Sequence, residues 1–422
     1  MGTFIITSQM RELREQLSHS KRIGCFFGAG TSMAMGLPGI WDLTTQTINK
    51  LDPIDKEKVE GILEHIKTHS FNGTNSTIED LLNYIRMIRQ VTYEKEEIEY
   101  LNINGKLAVD LDRKICKAIH TILLNKEDEI SGQLNGLLSM QKFIAWYNWS
   151  GQDFSREIFT LNYDLIIEKS MESLQVPYFD GFIGAYEPFF HTQSVEEIEK
   201  DYRLPNSWSR LWKLHGSLGW YWKKEQNNTS RVVRLGAQQP TENLDELVIY
   251  PSKDKYESSR KQPFLTYLDR LRNYLRSGEI FFIIAGYSFS DEHINEVIFN
   301  GLKQNNRLHV VTFLYDDLSF QKIKTFAEKI PNLSLLGPKS AVIGGRYGEW
   351  EADDSLETIY WNIRDINGTP TKVCTLGDFN ILVNYFLEIS GRKIEVEKEI
   401  EESLKNTIPS PLSRDNGENN EA

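Results

Sequence analysis

The sequence predicts an α/β protein: a Rossmann-like, doubly wound parallel sheet with a large helical insertion. Three observations carry that expectation. Short apolar runs alternate with amphipathic helical patterns, as in "RIGCFF", "REIFT", "EIFFIIA" and "RLHVVTFLY". Four such runs end in a polar or glycine-rich turn. Between the first two lies a stretch, roughly 52–150, whose pattern is almost wholly helical.

Taken in order, residues 8–20 read as an amphipathic helix leading into the strand "RIGCFF". After the glycine-rich loop, "WDLTTQTINKL" reads as a helix. In the helical block, "TIEDLLNYIRMIRQV" places Ile78, Leu81, Leu82, Ile85 and Ile88 on one face, with Ser76 or Thr77 as N-cap. "LAVDLDRKICKAIHTILLN" repeats the pattern. The alternation resumes at "REIFTLNYDLIIEKSME", where a strand ends in a polar turn and a helix follows. "RLWKLHGSLGWYW" and "ELVIYPS" are further strand candidates, followed by the helix "FLTYLDRLRNYLRSG". The strand "EIFFIIAGYSFSD", the helix "EHINEVIFNGLKQ" and the buried strand "RLHVVTFLYDD" come next, and "ETIYWNI", "TKVCTLGD" and "FNILVNYFLEIS" close the ordered part. These signals divide the chain into 1–51, the start of the sheet domain; 52–150, the helical subdomain; 151–392, the rest of the sheet domain; and 393–422, an acidic tail expected to be disordered.

Composition limits the functions available. The 422 residues include 48 basic and 60 acidic side chains, a formal charge of −12, which disfavours a general electrostatic grip on nucleic acid. The cysteines Cys25, Cys116 and Cys374 are far apart and form no CxxC pair, so neither a disulfide framework nor a cysteine-rich zinc site is expected. No stretch reaches about 18 uninterrupted apolar residues, and the N-terminus has no long apolar region. A cytoplasmic protein without a membrane segment is the expectation, and no set of carboxylate metal ligands suggests a nuclease.

In an open α/β sheet, ligands bind beyond the carboxyl ends of the strands. The turns that leave strands here are "GAGTS" (28–32), "TLNYD" (160–164), "KLHGS" (213–217) and "GYSFSD" (286–291). Glycine after a strand lets the backbone approach a pyrophosphate, and amides at a helix N-terminus favour anionic oxygens. Each turn also has a plain structural use. Asn162 can cap the helix beginning near Asp164, His215 can be a hydrogen-bonded strand-end residue, and Asp291 is first of all a candidate N-cap for "EHINEVI". Trp212, Trp220 and Trp222 are expected in the packing.

As an ordered set the four turns resemble the sirtuin signature. Gly28-Ala29-Gly30-Thr31-Ser32 with Gly36-Leu37-Pro38 resembles GAG-x-S followed by G-x-P; Asn162 and Asp164 match the T-Q-N-x-D segment; His215-Gly216 resembles the H-G pair of the catalytic histidine; Gly286-Tyr287-Ser288 resembles the G-T-S turn. The resemblance implies that Gly28, Ala29, Gly30 and Ser32 hold NAD phosphates, that Thr31 and Pro38 are also cofactor-binding, that Asp164 holds the nicotinamide carboxamide, that Gly286 and Ser288 contact ribose and phosphates, and that Asp291 secondarily contacts the ribose. Asn162 would orient a ribose hydroxyl or water, and His215 would serve as general base. The chain departs from protein deacylases in lacking two zinc-binding CxxC pairs and in reading Gly39-Ile40-Trp41 where D-F-R follows the proline. These departures resemble the sirtuin-like NAD hydrolases of bacterial anti-phage defence, most of all the subunit that partners a HerA-type hexameric ATPase. That resemblance implies NAD as substrate, no zinc, a homo-oligomer, an ATPase partner, and contact with nucleic acid only through that partner. A zinc-free deacylase or ADP-ribosyltransferase, and a non-enzymatic NAD or ADP-ribose sensor, remain as alternatives.

Overall fold

The computed structural model describes residues 2–69, 76–133, 135–149, 153–198, 204–224, 230–235, 246–249, 262–353, 355–366 and 368–407. Among them, the principal sheet has ten strands. Six of its parallel strands run, from one side to the other, Ser209–Lys213, Glu157–Thr160, Ile23–Phe27, Ile280–Ala285, Leu308–Phe313 and Leu333–Leu336. In chain order that is 3-2-1-4-5-6. The order reverses between Ile23–Phe27 and Ile280–Ala285, where a doubly wound sheet opens its crevice. The expected α/β class is therefore what the strand order shows.

The pleat explains why these strands read as continuous apolar runs. All five residues of Ile23–Phe27 are buried. Cys25 and Phe27 pack on one face with the helices Ile6–His19, Leu138–Tyr147 and Phe379–Ser390. Phe26 packs on the other, with the helices Phe264–Arg276, Glu292–Gln304 and Asp317–Ala327. A strand covered on both faces cannot alternate apolar with polar residues. Gly24 has its own reason: a Cβ there would lie 2.6 Å from the Tyr274 ring, so the helix sits directly on the strand.

The helical stretch contains Pro53–His69, Ile78–Val91 and the long helix Gly105–Gly132. Ile78–Val91 buries the expected five residues, and Thr77 begins it, its amide held by Asp80 at 3.0 Å. Arg86 and Arg89 close on the buried Asp112, tying that helix to the long one.

Several features carry no signal in the sequence pattern. Gly2–Ile5 is an edge strand parallel to Arg346–Glu351, itself half of a hairpin with Ser340–Ile343. "RLWKLHGSLGWYW" is two strands, broken at Gly216 with φ +90. Its second half, Gly216–Lys224, belongs to a separate antiparallel sheet with Glu246–Ile249, Ser230–Arg234, Phe189–Phe190 and Phe182–Ile183. The acidic tail expected to be disordered from 393 begins instead as the helix Lys393–Thr407, because Val396 and Ile400 bury against Ala145 and Leu387; residues 408–422 lie outside the described residues. No helix among the described residues is long and apolar enough to cross a membrane.

A buried ionic cluster anchors the opposite end of the sheet from the crevice. Glu157, 1 % exposed, receives Arg270 Nε at 3.0 Å, Arg210 Nη1 at 3.2 Å and Trp212 Nε1 at 2.9 Å. Burial pushes the carboxyl up, but the Arg270 and Arg210 guanidiniums outweigh it and hold the group below its usual range. Glu157→Ala leaves two buried guanidiniums without this carboxylate, an expected loss of about 3–5 kcal/mol in urea unfolding; a loss below about 1 kcal/mol contradicts this role.

Candidate active site

The four turns leave four adjacent parallel strands, and backbone bonds stitch their ends together. Gly28 N–H donates to the Ala285 carbonyl at 3.0 Å, Leu161 N–H to Phe27 at 3.1 Å, and Leu214 N–H to Thr160 at 2.8 Å. The residues of all four motifs are thereby brought to one end of the sheet, across the point where strand order reverses.

At that point two backbones cross at contact. Gly30 N–H donates to the Gly286 carbonyl at 2.9 Å. A Cβ on Gly28 would lie 2.4 Å from the Gly286 oxygen, one on Gly30 2.7 Å from the Gly286 Cα, and one on Gly286 2.4 Å from the Thr31 nitrogen. Gly286 also has φ +65, a region that favours glycine. The three glycines are thus required by the crossing itself. The amides of Gly28, Gly30 and Thr31 are engaged by Ala285, Gly286 and Gly28 carbonyls, while Ala29 is exposed at the start of the short helix Ala29–Met33.

Asn162 and Asp164 fold back onto this loop. Asn162, 7 % exposed, directs Nδ2 at the Gly28 carbonyl (3.1 Å), Thr31 Oγ1 (3.0 Å) and Ser32 Oγ (2.8 Å). Its amide side chain does not cap the following helix, Ile166–Ser173, as a turn asparagine often does. The Ser32 hydroxyl donates onward to Asp164 Oδ2 at 2.7 Å, and Asp164 Oδ1 accepts the Ile166 amide at 3.2 Å. A carboxylate has about four lone-pair sites, so Asp164 keeps acceptor capacity beyond these two bonds.

Beneath them lies a group the motifs did not reveal. Lys213, 1 % exposed, donates to the Asp164 carbonyl oxygen and, at 2.7 Å, to Glu168 Oε1. Burial pushes the Glu168 carboxyl up, opposed by Lys213. A lysine inside the apolar run "RLWKL" was the available signal, since buried lysines require partners. Glu127, from the long helix, also reaches this turn; burial first, then Asp164, push it up to about 7.

His215 and Asp291 form the second half of the site. His215 Nε2 lies 3.1 Å from Asp291 Oδ2, and His215 is 8 % exposed. Asp291 Oδ1 simultaneously accepts the His293 and Ile294 amides at 2.9 and 3.3 Å, capping Glu292–Gln304. One carboxylate therefore orients the imidazole and begins a helix. In the neutral tautomer that donates from Nε2 to Asp291, Nδ1 is the acceptor nitrogen of the ring.

The remaining candidates sit at the margin. The exposed Ser288 pairs its hydroxyl with Ser290 at 2.9 Å, and Lys322 Nζ reaches Ser290 at 3.0 Å. Pro38 lies between buried Leu37 and Gly39, the N-cap of Ile40–Lys50, and Trp41 in that first turn is half-exposed. Among the described residues no group of three or more His, Cys, Asp or Glu is placed to hold a metal ion, and the three cysteines are buried and separate.

Gly286→Ala is expected to cost about 2–5 kcal/mol in urea unfolding, because the new Cβ meets backbone and a positive φ; a near-neutral change contradicts the crossing. Glu127 supplies a pH test. Its folded value is raised above the unfolded one near 4.5 to about 7, so the unfolded chain ionises first and stability falls as pH rises through that window. Glu127→Gln removes this effect, and its stability relative to the parent should grow between about pH 4.5 and 7, by up to about 3 kcal/mol.

Residues 156–331 match the family model described as a SIR2-like domain. The match includes the Asn162, His215 and Gly286 turns; the Gly28 loop and the helical stretch lie outside it. No curated protein matches the chain. Similar solved structures include a SIR2 homologue in complex with NAD, at 12% identity over 79% of this chain and 89% of that one, with TM-score 0.38. Another, solved for the mechanism and regulation of Sir2 enzymes, is 13% identical over 72% of this chain and 84% of that one, with TM-score 0.33. A stretch of this chain that holds three of the four turns is thus similar to a SIR2-like domain.

Proposed function

We propose that the crevice binds NAD and hydrolyses its nicotinamide–ribose bond, water adding to the anomeric carbon to give ADP-ribose, nicotinamide and a proton. The observation that carries this reading is the convergence of the four turns on the strand-order reversal, where doubly wound sheets take dinucleotides. The match of residues 156–331 to a SIR2-like domain supports the same class of substrate.

Bond cleavage develops oxocarbenium character at the anomeric carbon, as in glycoside hydrolysis. Nicotinamide leaves readily, so the site needs orientation and a base more than a strong acid. Asn162 has Nδ2 committed to the Gly28 loop, which leaves Oδ1 as the acceptor that orients a ribose hydroxyl or the attacking water. His215, held through Nε2 by Asp291, takes the proton of that water or hydroxyl at Nδ1. Asp164, fixed by Ser32, accepts from the nicotinamide carboxamide. Ala29, Ser32 and the 286–288 turn face the pyrophosphate and ribose.

The same reading extends to biology: a cytoplasmic homo-oligomer that depletes NAD in anti-phage defence, regulated with a HerA-type ATPase partner and restrained until a partner or infection signal releases it. Its support is the sequence resemblance to defence NAD hydrolases together with the absence of CxxC pairs from the sequence.

Purified protein incubated with NAD, with and without a candidate ATPase, should release nicotinamide and ADP-ribose in equal amounts; intact NAD in every condition overturns the proposal. Asn162→Ala and His215→Ala should each lower kcat by about 100-fold or more. Asp291→Asn keeps a capping acceptor but loses the carboxylate on His215. It should lower kcat about tenfold with unfolding stability unchanged, whereas Asp291→Ala should also cost about 1 kcal/mol of stability.

A further inference from the structure

Among the buried titratable groups of the long helix Gly105–Gly132 is one that reaches the site's own turn. Glu127 is fully buried, and its Oε1 accepts the backbone N–H of Leu165 at 2.9 Å. Its Oε2 lies 3.0 Å from Lys169 Nζ. Leu165 is the N-cap residue of Ile166–Ser173 and has no capping side chain of its own. The helix that follows Asn162 and Asp164 therefore has its first amide satisfied from another element, 38 positions earlier in the chain.

The next amide, that of Ile166, is taken by Asp164 Oδ1. Two carboxylates thus share one helix N-terminus, favoured by its orphan amides and opposed by their mutual repulsion. Their surroundings are asymmetric. Asp164 is tied to the glycine loop through Ser32, whereas Glu127 is tied to Lys169, which also faces Asp128 at 3.5 Å. A polar side chain at position 165 would accept from amides within the helix's first turn and not from Leu165's own N–H, so that amide needs an acceptor from elsewhere, which Glu127 supplies. Glu127 makes the conformation of the Asn162–Asp164 turn depend on where the long helix sits.

We propose that Glu127 is a positioning residue through which the helical stretch holds the Asn162–Asp164 turn, so that a partner displacing the long helix alters the NAD site. The mechanical half of this inference is independent of the activity; the regulatory half rests on the NAD hydrolase reading. It gives that reading a route: the lever is Gly105–Gly132, its contact point is Glu127, and the element it moves carries Asn162 and Asp164.

Hydrogen–deuterium exchange on the full chain, paired with nicotinamide release, separates the two halves. In Glu127→Ala, exchange at Leu165 and Ile166 should rise about tenfold while the strand Ile280–Ala285 is unchanged. Glu127→Gln, which keeps an acceptor for Leu165, should stay within about twofold of the parent. Nicotinamide release should fall about tenfold in Glu127→Ala and be restored in Glu127→Gln. Unchanged exchange at Leu165 overturns the proposal, as does a rise spread over the whole sheet, which would make Glu127 a fold anchor. Raised local exchange with parental turnover overturns the coupling. Raised local exchange in a chain whose parent releases no nicotinamide either alone or with the candidate ATPase supports the positioning and overturns the NAD hydrolase reading instead.

Discussion

Two loops cross at backbone contact where the strand order reverses, and the site depends on that crossing. Gly30 donates to Gly286, and neither Gly28, Gly30 nor Gly286 has room for a Cβ. The contact fixes the separation of Ile23–Phe27 and Ile280–Ala285 at their carboxyl ends, beyond what the sheet ladder alone sets. Asn162 reads the position of one loop through the Gly28 carbonyl, and Asp291, five residues beyond Gly286, positions the imidazole from the other. A larger residue at the crossing would move both halves of the site apart, so the glycines act on the chemistry through packing.

That arrangement changes how the glycine-rich loop is understood. Glycines behind a strand are read as openings through which amides approach a phosphate. Here the amides of Gly28, Gly30 and Thr31 are bonded within the protein. What the loop offers outward is Ala29 and the network Asn162–Ser32–Asp164, in which a hydroxyl passes order from an amide to a carboxylate. Such a network is strong when every member is satisfied and fragile when one is removed. Lys213 and Glu127 support it from below and from the side.

The fold was legible because parallel strands covered on both faces read as unbroken apolar runs, and the 3.6-residue period of Ile78–Val91 reported its buried face directly. Short strands carry no such signal: Gly2–Ile5 is mostly exposed, and its place comes from pairing with Arg346–Glu351 at the far end of the chain. Among site residues, Asn162 and His215 stood out because their turns come in order behind strands. The direction in which Asn162 points was not readable, since capping and loop-binding use the same residue type. Lys213 left a trace as a charge within an apolar run. Glu127 left none, because "NKEDEIS" looks like any solvated helix end and only the tertiary contact with Leu165 sets it apart.

The central claim is the placement of a dinucleotide across the loop crossing. An experimental structure with ADP-ribose bound tests it most directly. The pyrophosphate is expected over Ala29, Ser32 and the 286–288 turn, with the terminal ribose between Asn162 and His215. A ligand bound elsewhere, or one whose terminal ribose lies away from both side chains, contradicts it.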